Sequence, residues 1–305
     1  MQETKNLLRS YVELGRGTSF VFGSLALAAA ATFRNFGYDL NGVGEVKASY
    51  PYVADGWGIW YWLAQVDLNF DLYFFVLTLL LSAGILLLAI SGGKLNRPRH
   101  LSVAITITIY FSFWFLFAHT RYGTAVVMIA LAVTANNFWL LAAAISTGYF
   151  FHKAVAGGAF LIGIWLMLRN RKYGLIAGAV IACGIAAFLF HFSDWILLFT
   201  EYDSYQSWNS NAAANTPLKY YFDIAVLLAW KCCNRKAPNG ALLLALLFLP
   251  TAYYNVFAGR AHEFYAAFLL SFLLTNPVPR PVRYAIVAEY LIDVGNLAFF
   301  SGVFF

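Results

Sequence analysis

Residues 122–151 read YGTAVVMIALAVTANNFWLLAAAISTGYFF, thirty residues without an Asp, Glu, Lys or Arg. One helix of that length would reach about 45 Å, against a bilayer hydrocarbon core of about 30 Å. The run is long for one crossing and short for two, and the pair Asn136-Asn137 near its middle offers a turn. The positions of the basic residues decide between the two. With two short helices here, Lys5, Arg9, Arg16, Lys94, Arg97, Arg99, Arg169, Arg171, Lys172, Lys231, Arg235, Lys236, Arg280 and Arg283 all fall on one side of a bilayer, fourteen of the 20 basic residues. With one helix, the eight of these that follow Phe151 move to the other side. Lys and Arg gather in cytoplasmic loops, so two helices are expected, with the N-terminus inside and the C-terminus outside.

The composition agrees with a bilayer as the solvent. Hydrophobic residues make up 61% of the 305 and charged residues 11%, where soluble domains carry roughly 45–50% and about 25%. Aromatics reach 19%, which suits both membrane interfaces and sugar-stacking platforms. The net charge of +6 follows from the basic inner loops, so no nucleic-acid partner is expected. Cys183 sits in an apolar run and Cys232 and Cys233 in a basic loop, which gives neither a disulfide framework nor metal spacing. Residues 1–16 are polar for too long to resemble a cleaved signal.

Uncharged or nearly uncharged runs then follow at 17–33, 72–93, 101–118, the two halves of 122–151, 154–168, 173–190, 220–230, 240–259, 264–279 and 284–305. The expected fold is an all-α polytopic integral membrane protein of about 11 transmembrane helices, one transmembrane domain over 1–305. Two outer loops interrupt it, at 34–71, with an interfacial helix near 56–65, and at 194–219. The outer side holds only Arg34, Lys47, Arg121, Lys153, Lys219 and Arg260 among the basic residues. It also holds most acids that lie outside the runs, and His119, His152, His191 and His262 fall at or near outer helix ends. Chemistry, if any, is expected there.

Several residues could carry it. Arg121 opens an otherwise uncharged helix, either as a bidentate clamp for phosphate oxygens or as an arginine reaching to the interface. Arg260 follows a Tyr- and Phe-rich stretch that includes Tyr254, after a bend expected at Pro250. With Glu263 at i+3 it forms either a local ion pair or a diphosphate grip with its orienting base. His152 could act as a general base beside Lys153, or be an interfacial histidine. Asp39, in Tyr-Asp-Leu-Asn-Gly, is either an acceptor-activating carboxylate or a turn residue. Trp57 and Trp60 suit a sugar platform or an aromatic belt. Asp223, Glu289 and Asp293 lie inside apolar runs, where carboxylates couple to protons or hydrogen-bond to neighbouring helices. The sequence has no Gly-rich phosphate loop, histidine-rich metal motif or Gly-x-Ser-x-Gly elbow, so neither metal nor cofactor is called for.

Taken in order, these features resemble the EpsG/Wzy-type polysaccharide polymerases. Asn35-Phe36-Gly37-Tyr38-Asp39 is similar to that family's Gly-x-Asp in the first outer loop. An aromatic helix and a long apolar run follow. Arg121 then opens a span whose close helix pair ends in Phe151-His152-Lys153, and Arg260 begins a span after an aromatic run. The likeness extends over about residues 34–279. The chain departs from the family at Gly42 and Val43, where a tyrosine is usual, and at Lys153 and Ala154, where a small hydroxyl residue is usual.

The resemblance implies a GT-C-like helical bundle in a bacterial inner membrane. It implies a metal-independent glycosyltransferase that moves a growing glycan from undecaprenyl diphosphate to the non-reducing end of another lipid-linked repeat unit on the outer face. Such enzymes make O-antigen, capsule or exopolysaccharide. Arg121, Arg260 and Lys153 would bind diphosphate, His152, Glu263 or Asp39 would serve as base, and Trp57, Trp60 and Tyr254 would bind sugar. The implied partners are undecaprenyl-diphosphate-linked oligosaccharides, membrane lipids and a chain-length regulator protein. Two other readings share the topology: a transferase adding a single sugar from a polyprenyl-phosphate donor, and a transporter of lipid-linked glycans.

Overall fold

The structure, a computed structural model, describes residues 2–32, 70–91, 101–135, 137–151, 155–170, 216–253 and 255–300. These residues form ten α-helices, a π-helical segment and a 3-10 turn, with no strand among them. In chain order they are α1 (Gln2–Thr32), α2 (Phe70–Ser91), α3 (Leu101–Phe111), the π segment (Ser112–Ala118), α4 (Thr120–Thr134), α5 (Phe138–Phe151), α6 (Val155–Arg169), α7 (Thr216–Cys233), α8 (Gly240–Phe248), the 3-10 turn (Leu249–Tyr253), α9 (Asn255–Thr275) and α10 (Arg280–Phe300). Each of ten of the eleven expected runs overlaps a helix, although α1 starts earlier than its run and the run 240–259 divides between α8, the 3-10 turn and α9. The remaining run, 173–190, and nearly all of the loops 34–71 and 194–219 lie outside the described residues. Among the described residues, no helix is long and apolar enough to cross a membrane.

The long run 122–151 divides into two helices near its middle. α4 ends at Thr134, and Asn137 Oδ1 accepts a hydrogen bond from the backbone N–H of Leu140 at 3.0 Å. That bond satisfies a donor that the first turn of a helix leaves open. A second break differs from the sequence expectation, which put an outer connection at Arg260–Glu263. The chain leaves the α-helix at Leu249 instead, passes Pro250 in the 3-10 turn, and resumes as α9. Proline lacks the N–H that would bond one turn back, whereas a charged side chain leaves backbone hydrogen bonding intact. Arg260 and Glu263 are therefore inside a helix.

The chain divides into two compact units. The first comprises Met1–Val155, Leu273–Asn276 and Val287–Phe305. Small residues mark its helix crossings. Thr32 Oγ1 and Thr78 Oγ1 share a hydrogen bond of 2.9 Å between α1 and α2. A Cβ at Gly84 of α2 would stand 2.9 Å from Val127 of α4, and one at Gly148 of α5 would stand 3.2 Å from Ala125. Such close backbone approach is how helices associate when apolar burial alone does not drive them together.

Beside an apolar core that includes Phe74, Leu77, Leu81, Ile85 and Ile107, this unit also buries hydroxyl side chains and exposes some aliphatic ones. Thr78, Ser82, Thr106, Ser112, Thr120 and Thr124 are buried, while Val21, Phe22, Leu80, Leu101, Ile105 and Ile109 are exposed. Several of these buried hydroxyls bond back to the carbonyl one turn earlier. Ser82 donates to the Thr78 carbonyl at 2.6 Å, Thr106 to Ser102 at 2.8 Å and Thr124 to Thr120 at 2.8 Å. Such back-bonding lets a polar residue be buried without a partner from another helix.

The second unit comprises Ala156–Phe272 and Pro277–Ile286. One face of α9 carries Phe264, Phe268 and Phe272 at i, i+4 and i+8. Phe264 and Phe268 stack at 5.3 Å, and Phe268 meets Trp165 of α6 edge-on at 6.5 Å. A Cβ on Gly158 would stand 2.5 Å from the Phe264 ring, and one on Gly240 would stand 3.0 Å from the Phe272 ring.

Candidate functional site

In the first unit, the helix from Leu101 widens to i→i+5 bonding over Ser112–Ala118. Single-turn widenings of this kind recur at functional sites. The backbone N–H of His119 donates to the Trp114 carbonyl at 3.0 Å, the last wide turn, and that of Gly123 donates to the His119 carbonyl at 2.8 Å, the first bond of α4. His119 itself leaves the helical region at φ −133°, ψ 61°. Arg121 is thus the second residue of α4, in the turn where the helix dipole is positive. The turn is rigid, because a Cβ on Gly123 would stand 2.2 Å from the Phe115 Cβ and 2.9 Å from its Cα. The Trp114 and His119 rings lie near-parallel with centroids 6.3 Å apart. Tyr110 meets Tyr290 edge-on at 4.9 Å, and Asp293, one turn along α10, is buried.

In the second unit, a buried polar cluster joins α7 to α9. Asp223 is fully buried, and Tyr265 donates its hydroxyl to Asp223 Oδ2 at 2.8 Å. Tyr220, one turn before Asp223, packs on Tyr265 at 4.8 Å and meets His262 edge-on at 5.7 Å. Phe248, at the end of α8, lies 5.8 Å from Tyr265. The charge of Lys219 reaches His262. Glu263, beside His262 in sequence, is buried as well. The 3-10 turn that brings the chain into α9 is fixed by Thr251, whose hydroxyl donates to the Phe248 carbonyl at 2.5 Å. A carboxylate, an imidazole and two phenols are therefore held together in an apolar surround, where their interactions with one another are stronger than in water.

Of the sequence candidates, Glu263 is described with its side chain. Arg121 and Arg260 are described by backbone position, in α4 of the first unit and α9 of the second. Asp39, Trp57, Trp60, His152, Lys153 and Tyr254 lie outside the described residues. The sequence reading did not assign Tyr220, His262 or Tyr265 to a site, and it weighed Asp223 only as a carboxylate within a span. A carboxylate in an apolar helix calls for a donor, but Tyr265 is 42 positions away, so the pairing has no local signature. Among the described residues, no group of three or more His, Cys, Asp or Glu is arranged to hold a metal ion. No protein-family model, curated protein or solved structure matches the chain.

Proposed function

We propose that this chain is a polytopic protein of a bacterial inner membrane. In this reading it is a glycosyltransferase that polymerises lipid-linked glycans on the outer face. The observation that carries the reading is Arg121 in the opening turn of α4, directly behind the π segment. It is the one Asp, Glu, Lys or Arg in residues 101–151. A guanidinium in the first turn of a helix, at the positive end of its dipole, is suited to a diphosphate leaving group. The membrane setting is supported by the apolar composition and by the exposed Leu, Ile, Val and Phe side chains over buried Ser and Thr.

In the reaction, an acceptor hydroxyl oxygen bonds to the anomeric carbon of the donor glycan. The bond from that carbon to the diphosphate oxygen breaks, and the electron pair leaves with the diphosphate. The hydroxyl proton passes to a base, for which His152, Glu263 and Asp39 are the candidates. Arg121 stabilises the charge that develops on the leaving group, and the resemblance gives Arg260 and Lys153 the same chemistry. Trp57, Trp60 and Tyr254 keep their sugar-binding roles as part of the proposal.

The test is a gel of lipid-linked and surface glycans from cells lacking the protein, complemented with wild type, Arg121→Ala or Arg121→Lys. Glycan of a single repeat unit without the protein, a ladder with wild type and no ladder with Arg121→Ala is the expected result. A ladder whose every unit is lighter by one sugar points to single-sugar transfer from a polyprenyl phosphate. The buried carboxylates Asp223 and Asp293 favour a second reading, transport of lipid-linked glycan. Transport predicts no glycan at the outer face without the protein, and full rescue by Arg121→Ala.

A further inference from the structure

We propose that one end of the second unit binds the phosphate headgroup of an anionic phospholipid. The ends of α6 and α7 and the start of α8 meet there. Trp165, one turn before the end of α6, donates its Nε1–H to the carbonyl of Gly240, the first residue of α8, at 2.8 Å. Phe272 of α9 abuts the same glycine. Lys231, near the end of α7, donates through Nζ to the carbonyls of Arg235 at 2.8 Å and Ala237 at 2.5 Å, which holds the connection to α8 against the helix end. The first turns of α10, from Arg280, belong to this unit too.

The charges at this end have one sign. Arg169, Arg235, Lys236 and Arg280 are exposed. Arg283 is 1% exposed, so its positive charge is little screened by solvent. Residues 165–170, 230–240 and 277–286 contain no Asp or Glu. The unit's described acids, Asp223 and Glu263, lie about 13–15 Å away along α7 and α9 at the rise of an α-helix.

The surface beside these charges selects among anions. Leu228, one turn before Lys231, is exposed, and so is Leu246 further along α8. Tyr284 is 52% exposed, with the Arg283 guanidinium 5.9 Å from its ring centroid. A free phosphate or a nucleic acid would use the cations and leave this aliphatic flank in water. A phospholipid uses both, phosphate on the cations and acyl chains along the flank.

The proposal rests on the membrane reading above, and its test separates the two. The purified full-length chain is first floated with neutral phosphatidylcholine vesicles. If it does not float, the membrane reading fails and this proposal fails with it. Binding to the detergent-solubilised chain is then measured for dioctanoyl phosphatidylglycerol, dioctanoyl phosphatidylcholine and glycerol 3-phosphate. Phosphatidylglycerol is expected to bind at least about tenfold tighter than the other two, and less tightly as salt is raised. The variant carrying Arg169→Gln, Arg235→Gln, Lys236→Gln and Arg280→Gln changes only exposed side chains. It is expected to lose about fivefold in affinity per charge removed. Arg283→Lys, which keeps the buried charge, is expected to retain the preference. A chain that floats but binds both lipids equally, or a fourfold variant that binds like wild type, overturns the headgroup site. So does glycerol 3-phosphate binding as tightly as the lipid, or an RNA oligonucleotide that displaces the lipid at equal concentration.

Discussion

Tyr265 illustrates how much one hydroxyl can carry in this chain. Its partner, Asp223, is fully buried, and the bond at 2.8 Å satisfies one oxygen of a carboxylate held away from solvent. Replacing Tyr265 by Phe keeps the ring packed on Tyr220 and Phe248 and removes the donor. Leaving a buried acceptor short of a bond costs about 1–3 kcal/mol. The expected outcome is a lower unfolding midpoint for Tyr265→Phe in detergent, with part of the loss regained in the double variant Tyr265→Phe/Asp223→Leu. Equal midpoints for wild type and the single variant would count against the pair. Asn137 is the second case at this scale. It opens α5 through its side-chain oxygen, and Asn137→Ala should cost about 1 kcal/mol in the same measurement.

At the scale of helices, adjacent glycines make opposite predictions. A Cβ on Gly158 would meet the Phe264 ring at 2.5 Å, whereas one on Gly157 would meet nothing within 4 Å. Phe264 is fully buried, so its ring has little room to yield. Gly158→Ala is expected to destabilise by about 1–3 kcal/mol, and Gly157→Ala to stabilise by about 0.5–1 kcal/mol, since alanine loses less backbone entropy in a helix. Thermal midpoints of the two variants with opposite signs relative to wild type are the check. Elements of this kind were partly legible in the residues. The division of 122–151 into two helices followed from the placement of the basic residues on either side of it, and Pro250 marked the bend before α9. Arg260 and Glu263 misled, because a charge interrupts an apolar run without interrupting a helix. The π segment, Ser-Phe-Trp-Phe-Leu-Phe-Ala, carries no residue that distinguishes it from the α-helix leading into it, and the Asp223–Tyr265 pair depends on packing between distant segments. Of the expected site, Glu263 is the residue whose burial can be set beside its assigned role.

For the whole molecule, the solvent of the outer surface decides what a surface substitution does. Leu80 lies halfway along α2 and is 61% exposed. If lipid surrounds it, Leu80→Lys brings a charge to mid-membrane at about 2.5–3.5 kcal/mol on insertion scales, and the membrane-inserted yield should fall several-fold. In water the same change would be near neutral and would raise solubility. Comparing carbonate-resistant protein from cells making wild type and Leu80→Lys distinguishes the two, and an unchanged yield would remove the main structural support for the membrane reading.

The widened turn before His119 also bears on how this chain can change length. Each i→i+5 turn holds one more residue than the α-helical turn beside it, so the stretch Ser112–Ala118 has taken up extra chain without passing a shift on to its neighbours. A one-residue deletion there would let the segment narrow to an ordinary α-helix and keep α3 and α4 in place. The same deletion in the middle of α3 or α4 would rotate everything beyond it by about 100°. Lineages that lose or gain a residue in this region should do so within that stretch and not on either side.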